Sequence, residues 1–139
     1  MAAIRDVFST AGPRSRDDAI REVAAALGYQ RVGSRISDLL DGYLRTAVRR
    51  GILENAPEGL GILCRSITDY EHDFLLQQLV AGMGGKWWTR DDLIYGTARW
   101  LGFRRTGPVI RDTLRAAITS AVRQGLLERE GPEHVHKVR

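Results

Sequence analysis

The same 39-residue stretch occurs twice in this chain. Displacing the sequence by 74 positions lays Arg16 to Glu54 on Arg90 to Glu128 without a gap, and 18 of the 39 pairs are identical. The identities include glycines (Gly28/Gly102, Gly33/Gly107, Gly51/Gly125) as well as apolar residues, so punctuation and hydrophobic phase stay in register. This is an internal duplication. Whatever forms must therefore be a small unit, made once and then made again.

Each copy reads as helix, connector, helix, hairpin. Ser15 and Thr89 are N-cap residues, and Asp17-Asp18 and Asp91-Asp92 follow in a first turn where the helix dipole favours carboxylates. Ile20, Val23, Ala24 and Leu27 recur at helical spacing in copy one, as do Ile94, Ala98 and Leu101 in copy two. Gly28 and Gly102 end these stripes in the C′ position. A connector holding Gly33 or Gly107 leads to a second helix, opened by Ser34 or by Pro108. Its expected core positions are Ile36, Leu39, Leu40, Tyr43, Leu44, Ala47 and Val48 in copy one. In copy two they are Ile110, Leu114, Ala117, Ile118, Ala121 and Val122.

Two extended segments follow each second helix. They are Ile52 to Glu54 and Leu60 to Arg65 around the turn Asn55 to Gly59, then Leu126 to Arg129 and His134 to Val138 around Gly131-Pro132-Glu133. A further helix is expected ahead of copy two at Tyr70 to Met83, with Lys86-Trp87-Trp88 as a short strand after it. Ahead of copy one only Ile4 to Phe8 is available, which implies an abbreviated helix or a chain cut from something longer. Helix, turn, helix, hairpin is the order of a winged helix. The expected fold is mainly α with small β-hairpins: two tandem winged helix-turn-helix units related by duplication, residues 1–66 and 67–139.

In such a unit the second helix of the pair can enter a DNA major groove. Opposite its apolar stripe, copy one presents Arg35, Asp38, Asp41, Arg45 and Arg49, with Arg50 alongside; copy two presents Arg111, Asp112, Arg115, Thr119 and Arg123. Arginine binds phosphate and reads guanine with two N–H groups at once. With the connector arginines, the candidate DNA-binding set is Arg31, Arg35, Arg45, Arg49, Arg104, Arg105, Arg111, Arg115, Thr119 and Arg123. Charge is kept at Arg31/Arg105 and Asp38/Asp112, which are expected to pair and fix the connector. Positions that differ between copies are the better readers of sequence. Arg111 and Arg115 stand where copy one has Ser37 and Asp41, which makes copy two the better DNA contact.

Of 21 basic residues only Lys86 and Lys137 are lysine, and the net charge of +4 mildly favours a polyanionic partner. A GC-rich genome would also encode such arginine. The expected hairpin tips are acidic, with Glu58 in the first and Glu130 and Glu133 in the second, which repels phosphate; only Arg65, Arg129, Lys137 and Arg139 offset it. The competing expectation is therefore a protein-interaction or scaffold module. Trp87, Trp88 and Trp100 read as packing residues, Trp100 at a contact between the units, with stacking on bases as the other reading. His134 and His136 share a strand face without a third ligand, so neither metal nor cofactor is expected. The single Cys64 reads as a core residue in a reducing compartment. The chain has no signal-peptide core and no apolar run near the roughly 20 residues that span a bilayer, pointing to a cytoplasmic protein without membrane contact. No motif assembles a nucleophile, base or phosphate loop, and the expectation is a protein that is not an enzyme.

The stretches Leu27-Gly28-Tyr29-Gln30-Arg31-Val32-Gly33-Ser34-Arg35-Ile36 and Leu101-Gly102-Phe103-Arg104-Arg105-Thr106-Gly107-Pro108-Val109-Ile110 resemble a bacterial domain of unknown function. That domain lies at the C-terminus of large DNA helicase and nuclease-like proteins, some linked to restriction or phage defence. The resemblance spans both copies and implies an accessory DNA-binding module whose catalytic domains lie elsewhere. It carries no functional residues over to this chain.

Overall fold

Both capping residues act as their side chains suggest. In the computed structural model, which describes residues 1–138, the Asp18 N–H donates to Ser15 Oγ at 3.1 Å and the Asp92 N–H donates to Thr89 Oγ1 at 3.1 Å. They open α2 (Arg16–Ala26) and α5 (Arg90–Trp100). Gly28 and Gly102 follow at φ +90° and +83°, a left-handed conformation that ends each helix and strains any other residue. The second helices are α3 (Ser34–Arg49) and α6 (Pro108–Arg123), each capped by the preceding glycine. Ahead of them stand α1 (Ala2–Phe8) and, after a single 3-10 turn at Ile67–Asp69, α4 (His72–Ala81).

The described chain is mixed α/β, with six α-helices and two small antiparallel sheets. In the first sheet β1 (Leu53–Ala56) pairs with β2 (Gly59–Ile62), with Ala56 opposite Gly59. The turn is thus only Pro57-Glu58, not the five residues Asn55 to Gly59, and the strand stops before Leu63. In the second sheet β4 (Leu127–Glu130) and β5 (His134–Lys137) flank a three-residue turn, and β3 (Trp88–Thr89) pairs with β5, giving the order β3-β5-β4. The short strand expected at Lys86 to Trp88 therefore begins at Trp88. Its counterpart in the first sheet is one residue long. Arg14 forms a bridge with Leu60, through Arg14 N–H to Leu60 O at 2.9 Å and Leu60 N–H to Arg14 O at 2.8 Å.

The chain divides into two compact units: Met1–Arg65 with Leu101–Phe103, and Ser66–Trp100 with the chain from Arg104 onward. The first buries Ile4 and Phe8 of α1, Ile20, Val23 and Ala24 of α2, Leu40, Leu44 and Ala47 of α3, and Ile52, Leu53 and Leu60. Its one buried charge is Arg5, 5% exposed, whose guanidinium donates to the carbonyls of Cys64 at 2.6 Å and Leu101 at 2.9 Å and lies 4.0 Å from the Phe103 ring centroid. Burying a charge is costly unless its donors are met, and here carbonyls and a ring face meet them. The second unit buries Leu75, Leu76 and Leu79 of α4, Leu93, Ile94 and Ala98 of α5, Leu114, Ala117, Ile118 and Ala121 of α6, and Leu127 and Val135.

Three residues expected in the first core lie at the surface: Leu27, Leu39 and Tyr43, the last two each 44% exposed. The buried stripe of α3 is narrow. Leu39 and Tyr43 each sit one position, roughly 100° of helical rotation, from Leu40 and Leu44, beyond its edge. Trp100 packs on α4: its indole N–H donates to Gln78 Oε1 at 3.0 Å and its ring covers Gly82 at the helix C-cap.

Candidate nucleic-acid interface

Helical spacing puts Arg111, Arg115, Thr119 and Arg123, each four residues apart, along one stripe of α6. At about 1.5 Å per residue they cover about 18 Å of the helix. Each is held differently. Arg111 Nη2 donates to the Tyr95 hydroxyl at 2.6 Å, and the guanidinium lies 5.3 Å from the Tyr95 ring centroid. That hydrogen bond raises the Arg111 pKa above its ordinary value. Arg115 pairs with Asp112 at 3.2 Å, Thr119 Oγ1 donates to the Arg115 carbonyl at 3.1 Å, and Arg123 stands exposed in the last turn.

The matching stripe of α3 carries Ser37, Asp41, Arg45 and Arg49. Asp41 dominates it. This half-buried carboxylate takes Arg16 from α2 at 2.6 Å, which joins the two helices, and Arg45 at 2.9 Å within α3, so the candidate Arg45 shares its carboxylate with a helix-to-helix pair. Arg49 donates to Thr46 Oγ1 at 2.9 Å. Arg35 is exposed in the first turn, and Arg31, Arg104 and Arg105 are exposed in the connectors. The expected ion pairs of Arg31 with Asp38 and Arg105 with Asp112 do not form among the described residues; Asp112 turns along its own helix to Arg115 instead. Beside the charges, α3 presents Leu39 and Tyr43 to solvent, where copy two has the less exposed Thr113 and the buried Ala117.

The first hairpin turn, Pro57-Glu58, is exposed and acidic. The second is tied down: Arg90 N–H donates to the Glu133 carbonyl at 2.8 Å and Arg90 Nε to the Pro132 carbonyl at 3.1 Å. Arg129 lies at this tip, in a shallow groove with Gly131 and Pro132, while Arg139 is outside the described residues. His136 packs against Trp87 with ring centroids 4.7 Å apart and planes tilted by 30°, and among the described residues no three potential ligands gather for a metal. No described helix is long and apolar enough to cross a membrane.

Two residues outside the candidate set prove central to it: Tyr95, which orients Arg111, and Arg16, which claims Asp41. The signal for Tyr95 was its exchange for Arg21 in copy one. Arg16 gave none, because its equivalent, Arg90, is identical and serves the hairpin instead. Comparison with protein families, curated proteins and solved structures finds no match to the chain.

Proposed function

We propose that the chain is a non-catalytic DNA-binding module of two winged-helix units, accessory to a DNA-processing protein, and that its second unit makes the main contact with duplex DNA. The observation that carries this reading is the α6 stripe of Arg111, Arg115, Thr119 and Arg123, free of the carboxylate that copy one holds at Asp41. A helix of this width fits a major groove about 12 Å across, with arginines reaching phosphates on either side. Titrating labelled duplex DNA by fluorescence anisotropy across a salt series tests it. Three or four phosphate contacts should give a log–log salt slope of about −3. Arg115→Ala with Arg123→Ala should weaken binding by about tenfold or more and make the slope shallower by about 2. Absence of binding at low salt would sink the proposal.

A second reading belongs to the first unit. Leu39 and Tyr43 are apolar, exposed and one turn apart on α3, a feature suited to a protein contact rather than to phosphate. It makes its own demand of mutants: loss of both side chains should abolish capture of a protein partner and leave duplex binding by the second unit unchanged.

A further inference from the structure

The two copies differ where α5 meets β3. In copy one, Arg14 Nη1 reaches Glu22 at 3.1 Å and closes this position with an ion pair. At the equivalent positions copy two has Trp88 and Gly96, and the outer edge of the indole meets the helix where a Cβ on Gly96 would lie 3.0 Å from the ring. An open groove results, lined by Lys86, Trp87, Trp88, Asp92, Tyr95 and Arg99. Copy one has no aromatic residue at these positions: Gly12, Pro13, Arg14, Arg21 and Ala25 stand where Lys86, Trp87, Trp88, Tyr95 and Arg99 do.

The lining is built rather than loose. Trp88 Nε1 donates to the Met83 carbonyl at 2.9 Å, and the Lys86 ammonium sits 4.2 Å from the Trp88 ring centroid. Trp87 is 46% exposed although its ring rests on His136, and Tyr95 is 38% exposed although its hydroxyl is held by Arg111. Large aromatic surfaces are thus fixed in place and left wet. The lining carries the cations Lys86 and Arg99 and the carboxylate of Asp92, and Arg111 stands beside it on Tyr95, with Asp91 and Asp112 near its guanidinium.

Aromatic faces for planar rings, with cations for the linkage between them, are what a single strand requires and what a paired duplex cannot use. We infer that this groove takes unpaired bases of DNA, so that the module recognises a duplex that ends in, or opens into, a single strand. Through Tyr95 and Arg111 the groove adjoins the α6 stripe, so one strand can run from one to the other. The inference rests on the DNA-binding reading above and narrows its target.

The test compares one duplex as a blunt end and with a short oligothymidine overhang, with the free oligothymidine as a third probe, reading anisotropy and tryptophan fluorescence. The overhang should tighten binding by about tenfold, the order expected for stacking of one or two bases, and quench fluorescence. Trp87→Ala should remove that gain while leaving blunt-duplex affinity as it was. Arg99→Ala, on the far lining, should reduce the gain without removing an aromatic group, and circular dichroism verifies that both variants fold. Equal affinity for blunt and overhanging duplex, or an overhang preference that survives Trp87→Ala, overturns the groove while leaving duplex binding in place. Binding to neither probe overturns both proposals. Binding to single strands alone supports the groove and overturns the duplex contact.

Discussion

Gly59 is the residue whose identity the fold constrains most tightly. It starts β2 at φ +123°, and a Cβ there would clash with the Arg14 carbonyl oxygen, the same oxygen that receives the Leu60 N–H. The obstacle is backbone, which cannot swing aside as a side chain can. Gly59→Ala should cost about 2 kcal/mol or more, through both the strained φ and the displaced bridge, as read by urea denaturation of the whole chain. Asp41 shows a different economy. Its two arginine partners draw it into structural service, so a position that copy two gives to Arg115 becomes a helix clamp in copy one.

Local chemistry made most of the elements readable. Caps, C′ glycines and the proline at the start of α6 act on backbone within a few residues, and helix starts and ends fall where those residues stand. Ser15→Ala and Thr89→Ala should each lower stability by about 1 kcal/mol, measured by thermal or urea unfolding, because each leaves a helix N–H without its acceptor. What sequence could not supply depends on neighbours far along the chain. Leu39 and Tyr43 obey helical periodicity well enough to pass as core, and only the narrowness of the surface that α3 meets leaves them outside. The Arg14 bridge has no run of alternating residues to announce it, since one residue has no period. The arginine stripe of α6 was legible because spacing alone defines it, whereas the groove beside it depends on how Trp88 lies against Gly96.

At the level of the whole chain, each unit has an apolar core drawn from helices and a hairpin of its own copy. Leu44→Ala, fully buried in the first, should cost about 2 to 5 kcal/mol, and hydrogen exchange should show the loss of protection concentrated in residues 1–65. Similar protection loss in α6 would contradict separate cores. The exchange of Arg14 and Glu22 for Trp88 and Gly96 also bears on how such a gene can change. An indole set against glutamate meets a side chain where it needs a bare helix, and an arginine set against glycine loses its carboxylate. Each half-exchange lacks the contact that its parent makes at this position. A crossover between the copies that falls between residues 14 and 22 would produce such a mismatch, so the two positions are matched only when they are exchanged as a pair.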